Sequence, residues 1–203
     1  MTLVVGLGGS LARVSRSRGA LRTALEGAAE AGSRTDLLDL RELDLPMYDP
    51  DHEEPTPAVT FLLDACIAAD GMIWSSPLYN GTISGAFKNA IDWLHLLGPH
   101  DPPYLHDRVI GLVSAAGGGQ GLQAVNTMEF SVRALRAWAV PYVVPVARHS
   151  FEVDGSVRDH GARAQLHMLG TEVARTSERF AAEPEADREV ACAESAGRVA
   201  AAG

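Results

Sequence analysis

The residues best equipped for chemistry stand at 6–18, reading Gly-Leu-Gly-Gly-Ser-Leu-Ala-Arg-Val-Ser-Arg-Ser-Arg. Gly6, Gly8 and Gly9 let a ligand come close to the backbone, Ser10, Ser15 and Ser17 offer hydroxyls, and Arg13, Arg16 and Arg18 offer positive charge. An apolar run at 3–5 precedes this stretch and an Ala/Leu-rich segment follows it, so it falls where a strand turns into a helix. The unpaired N–H groups and the dipole of that helix start favour an anion, and phosphate is the usual one. Two more unusual stretches lie downstream, Ser-Ser-Pro-Leu-Tyr-Asn-Gly-Thr-Ile-Ser-Gly at 75–85 and Ser-Ala-Ala-Gly-Gly-Gly-Gln-Gly at 114–121.

The elements that must position these stretches alternate along the chain. Strands are expected at 3–7, 34–40, 71–76, 108–114 and 141–147, the last opened by Pro141. Helices are expected at 15–31, 61–69, 84–97, from the glycine turn to about residue 139, and at 159–181. Five strands alternating with helices predict an α/β three-layer sandwich, a parallel sheet covered on both faces. In such a sheet ligands bind beyond the carboxyl ends of the strands, near the point where strand order reverses. That rule brings the ends of strands one, three and four together, and those ends are the three unusual stretches. A phosphate loop, a Pro/Tyr/Asn turn and a glycine turn on one edge describe a site for a phosphorylated planar cofactor.

Composition bounds the partners. The 203 residues carry 46% hydrophobic and 21% charged side chains and a net charge of −9, an ordinary globular composition that argues against a nucleic-acid partner. No apolar stretch approaches a membrane-spanning length, and the chain opens without a basic and apolar leader, so a cytoplasmic location and no membrane partner are expected. Cys66 and Cys192 lie far apart, and the seven histidines show no ligand spacing, so neither a disulfide framework nor a metal site is expected. One domain is expected over residues 1–182. Residues 183–203 are rich in Ala and Glu with almost no large apolar side chain, and predict a flexible tail.

The cofactor is narrowed by elimination. Leu11 stands where a dinucleotide fingerprint needs its third glycine, and no Gly-Lys-Ser/Thr closes the loop as in an ATP-type P-loop. Ala12 likewise breaks the Gly-x-Ser-x-Gly of a hydrolase elbow. A mononucleotide phosphate remains, with FMN the common case.

At this point the residues resemble a family. Gly9-Ser10-Leu11 with Ser15 and Ser17 is similar to the phosphate loop of the NAD(P)H-dependent FMN reductases, which are flavodoxin-like proteins. The run from Ser76 through Pro77, Leu78, Tyr79, Asn80 and Gly81 to Lys88-Asn89-Ala90-Ile91-Asp92-Trp93 resembles that family's second signature over its whole length. The resemblance implies that Ser10, Ser15, Arg16 and Ser17 hold the FMN phosphate. It also implies that Pro77, Leu78, Tyr79 and Asn80 line the flavin, and that Ser114, Gly117 and Gly118 meet the pyrimidine edge of its ring. Two positions depart from the pattern. Ala12 replaces the usual Arg, with Arg13 next to it as a substitute, and Leu78 replaces the usual Glu.

The activity so implied is hydride transfer from NAD(P)H to bound FMN and on to a small-molecule acceptor such as free flavin or a quinone, with no side chain required as a general acid or base. A dedicated FMN-dependent dehydrogenase acting on one cyclic substrate, and a flavodoxin-like electron carrier, are the alternatives. The bland readings are a solvated arginine cluster, a plain Asn-Gly turn, a flexible glycine loop, and packing roles for Lys88, Asp92 and Trp93. The helix at 84–97 carries Phe87, Ile91, Trp93 and Leu94, a wider apolar stripe than one face needs, which together with the resemblance predicts a homodimer or homotetramer.

Overall fold

In a computed structural model that describes residues 1–181, the chain folds around one five-stranded parallel sheet of order β2-β1-β3-β4-β5. The strands are β1 (Leu3–Gly8), β2 (Arg34–Asp39), β3 (Gly71–Pro77), β4 (Val109–Ala116) and β5 (Trp138–Ala147). The helices are α1 (Arg16–Glu30), α2 (Leu40–Leu43), α3 (Pro57–Ala68), α4 (Gly85–Trp93), α5 (Gly121–Ala134) and α6 (His160–Ala181). Strand order reverses between β1 and β3, which puts the switch point at the ends of the phosphate loop and the Pro/Tyr/Asn turn. The expected tail lies outside the described residues.

The central strands β3 and β4 are buried at every residue, as a sheet covered on both faces requires. One side of the core collects Trp74, Phe87, Leu62 and Ile110 against α3, α4 and α5; the other collects Leu21, Ile73, Val113 and Leu169 against α1 and α6. Each such side chain contributes about 1.5–3 kcal/mol by leaving water. On the second side the helices approach closely. A Cβ on Gly170 would lie 1.9 Å from the Ala24 carbonyl oxygen, and one on Gly27 would lie 2.3 Å from that of His167, so only glycine fits where α1 and α6 cross.

Four boundaries differ from expectation by more than two residues. The helix expected over 84–97 is α-helical only over Gly85–Trp93 and continues as the 3-10 turn Leu94–Leu97. The fourth long helix ends at Ala134 rather than near residue 139, because Arg136 takes a left-handed φ of 63° and the Leu135 N–H closes the last turn onto Ser131. β5 therefore starts at Trp138 and runs through Pro141 instead of opening on it. It is an edge strand, where a missing N–H is tolerated, and its pairing with β4 shifts register between Ile110 and Leu112. The helix expected from residue 61 starts at Pro57, with Thr56 as its cap.

The apolar stripe of α4 is consumed inside the chain. Phe87, Ile91, Trp93 and Leu94 are all buried without any partner copy, so the stripe leaves no surplus for a subunit contact. Asn89 and Trp93, one turn apart, both donate to the Pro46 carbonyl at 2.8 Å, and the Asn89 side chain accepts from the Tyr48 N–H at 2.8 Å. The signature run around Asn89-Ala90-Ile91-Asp92-Trp93 thus clamps the long loop after α2. Lys88 and Asp92 pair on the exposed side of the same helix.

Candidate cofactor site

At the carboxyl edge, between the ends of β1, β3 and β4, lies a cavity of about 210 Å³. Its floor is built by serines. Ser15, N-cap of α1, accepts from the Arg18 N–H at 3.2 Å, and its hydroxyl lies 3.1 Å from both Ser10 Oγ and Ser17 Oγ. All three are buried, yet they are bonded chiefly to one another, a self-contained cluster that can turn toward a ligand oxygen. Arg16 and Ser17 follow as the first two residues of α1, whose N–H groups have no partner inside the helix.

The loop that presents them is held from outside. The Gly9 N–H donates to the Ser75 carbonyl at 3.1 Å, and a Cβ on Gly8 would lie 2.1 Å from the same oxygen, so glycine is required where β1 passes β3. Gly9 itself takes a φ of 97°. Arg18 pairs with buried Asp39 at 2.5 Å and donates to the Arg13 carbonyl at 3.0 Å, while Arg41 donates to the Leu11 carbonyl. Arg18 is therefore a brace of the loop, and its charge is spent on Asp39.

The opposite wall comes from β3. Ser76 donates to the Pro77 carbonyl and accepts from the Ser84 N–H, both at 3.0 Å, which fixes the base of a tight hairpin. In that hairpin Tyr79 and Thr82 exchange backbone hydrogen bonds across Asn80 and Gly81, whose φ values of 48° and 86° are those of a type I′ turn. Pro77, Leu78 and Tyr79 line the cavity. Asn80, at the exposed tip, does not.

The third wall follows β4. Gly117 lines the cavity with Ala115 and Ala116, and residues 117–119 are exposed. None of these three glycines has a positive φ, and a Cβ on any of them would meet nothing within 4 Å. Neither backbone conformation nor internal packing demands glycine there. What the absent side chains leave is open space beside the cavity, which suits a flat ligand. Ser114, by contrast, is buried and donates to the Gly121 carbonyl at 2.8 Å, capping the turn from beneath.

Eight of the twelve expected site residues therefore share one cavity: Ser10, Ser15, Arg16, Ser17, Pro77, Leu78, Tyr79 and Gly117. Arg13, Asn80, Ser114 and Gly118 stand outside its lining, and Ala12 and Val14 face it instead. Sequence reasoning missed Arg148, which enters from the short 3-10 turn Arg148–Ser150 after β5. No local signal marked it, since only the path of the chain after β5 brings it to the loop at 10–17. Among the described residues no carboxylate or imidazole lines the cavity, and no cluster of His, Cys, Asp and Glu could hold a metal.

A larger groove of about 300 Å³ lies between β5 and α6, lined mainly by apolar side chains such as Trp138, Pro141 and Met168. Among the described residues it offers an anion no basic group. No helix among the described residues is long and apolar enough to cross a membrane.

The serine cluster, the helix start and the open glycine wall fit a phosphorylated flavin. The structure is similar to that of FerB, a flavoenzyme NAD(P)H:(acceptor) oxidoreductase from Paracoccus denitrificans, with a TM-score of 0.70 and 22% identity over 89% of this chain and 99% of that one. A WrbA-like flavodoxin from Agrobacterium tumefaciens superposes with a TM-score of 0.65 and 16% identity, over 89% of this chain and 99% of that one. In sequence, a probable NADPH:quinone oxidoreductase 2 of Oryza sativa subsp. japonica is 37% identical over 127 residues, 60% of each chain. An NADPH azoreductase of a Bacillus strain is 34% identical over 107 residues, 52% of this chain and 57% of that one. The chain spans little more than half the length of these two relatives. An NAD(P)H:quinone oxidoreductase of Solanum tuberosum is 34% identical over 186 residues, 82% of this chain and 88% of that one. The profile of the NADPH-dependent FMN reductases matches residues 2–152, from β1 through the turn that carries Arg148, and the chain belongs to that family.

Proposed function

We propose that the protein is an FMN-dependent NAD(P)H oxidoreductase that delivers electrons to a small-molecule acceptor of the quinone or azo class. The observation that supports it most is the meeting, at the switch point of the sheet, of three buried serine hydroxyls with a glycine wall that the fold itself does not require. Ser10, Ser15, Ser17, Arg16 and the start of α1 would hold the phosphate. Pro77, Leu78, Tyr79 and the backbone from 115 to 117 would flank the flavin. When bound, FMN supplies two-electron chemistry, taking hydride from a reduced nicotinamide and releasing electrons to the acceptor.

The protein's own contribution is to bind and orient. Leu78 makes the β3 wall apolar at the position where the signature that this run resembles carries Glu, which favours a neutral organic acceptor over a cationic one. The relatives named for quinone and azo substrates point the same way. A cytoplasmic dimer or tetramer remains part of this reading. Its apolar contact surface would come from exposed side chains such as Phe130 and Trp138, not from α4.

The test is replacement of Ser10 and Ser15 together by Ala. The variant should purify folded and colourless while the parent carries flavin; equal flavin content in the two would overturn this assignment of the phosphate site.

A further inference from the structure

We propose that Arg148 supplies the second cation for the flavin phosphate, filling the role that Ala12 leaves vacant in the phosphate loop. This rests on the FMN reading of the cavity. A phosphate monoester carries a charge of about −1.5 to −2 at neutral pH, and the protein around it is acidic, with a net charge of −9. The serine hydroxyls hydrogen-bond that charge without neutralising it. Of the three arginines in the loop only Arg16 lines the cavity. Arg18 is paired with Asp39, Arg13 stands outside the lining, and Ala12 shows the cavity a methyl group.

Arg148 meets the need from another part of the chain. It lines the same cavity, is exposed, and forms no ion pair among the described residues. Its position is set by packing. The Phe151 N–H donates to the Arg148 carbonyl at 3.3 Å, and the segment beyond it returns onto the start of α1. There the Gly19 Cβ position lies only 2.0 Å from the Gly155 carbonyl oxygen, and that of Gly155 lies 3.2 Å from the Ser15 carbonyl oxygen. The turn that carries Arg148 is thus tied to the helix start that would hold the phosphate. A guanidinium also suits a phosphate better than an ammonium, since it can present two parallel donors.

The experiment titrates the flavin-free full chain with FMN and, separately, with riboflavin, which lacks the phosphate, following flavin fluorescence. Arg148→Gln should raise the Kd for FMN about tenfold or more, the usual scale for a hydrogen bond to a charged group, and leave the Kd for riboflavin unchanged. Adding Ala12→Arg to that variant should recover most of the lost FMN affinity. Unchanged FMN affinity in Arg148→Gln, an equal loss for both flavins, a larger loss in Arg13→Gln, or a defect confined to the KM for NADPH would each overturn the assignment. A parent protein that shows no saturable FMN binding would overturn the FMN reading itself, whatever the variants do.

Discussion

At the scale of single residues, the site separates groups that fold the chain from groups that wait for a ligand. Ser15 does both. Its hydroxyl caps α1 through the Arg18 N–H and joins Ser10 and Ser17. Ser15→Ala should therefore lower stability by about 1 kcal/mol, the usual value of a cap, as well as weaken FMN binding. Gly117 does only the second. A Cβ there would meet nothing within 4 Å, so Gly117→Val should leave the urea midpoint nearly unchanged while FMN affinity falls. A Gly117→Val protein that unfolds early would show that the turn serves the fold instead. Cys66 belongs wholly to the core, where burial pushes its thiol up to about 12 from an ordinary 9.0. Because its folded value lies above its unfolded one, this group's support for the native state is complete below pH 9 and is lost as pH rises toward 12. With Cys192 replaced by Ser, the native protein should resist alkylation at pH 8 and react only on unfolding, as thiol counting would show.

At the scale of elements, the fold was legible where a signal is local and obscure where it depends on a distant part of the chain. The run at 3–5 and the serines at 10–17 announce a strand and a helix start within a few residues each, and both stand where expected, whereas Asn80-Gly81 reads only as a plain turn and in the structure closes a hairpin. The end of α5 was not legible, because nothing in Leu135-Arg136-Ala137 says that Arg136 adopts a left-handed conformation. The start of β5 was hidden by Pro141, which reads as a strand opener until the strand is known to lie at an edge. The same gap concealed Arg148 and the engagement of the Ser114 hydroxyl beneath the turn. The crossing of α1 and α6 is equally invisible in sequence but open to test. Gly170→Ala would press a methyl against the Ala24 carbonyl, and should cost about 3 kcal/mol in chemical denaturation, near the upper end for overpacking. A loss below about 0.5 kcal/mol, the range of ordinary surface substitutions, would mean that the helices separate easily.

At the scale of the whole molecule, one sheet topology accounts for the meeting of residues from four separate parts of the chain. The reversal between β1 and β3 leaves a crevice at the carboxyl edge, and the loops after β1, β3, β4 and β5 all reach into it. The same architecture serves electron carriers as well as reductases, so the fold alone does not choose between them. Family membership and the arginines at the cavity favour an enzyme that takes its electrons from a dinucleotide. The most direct measurement is an anaerobic titration of the purified flavin-loaded protein with NADPH and, separately, NADH, with no partner protein present. The flavin absorbance should bleach promptly with at least one of the two nucleotides and return when a quinone is added. A flavin that is bound but stays oxidised with both nucleotides would contradict the oxidoreductase reading and leave a carrier in its place.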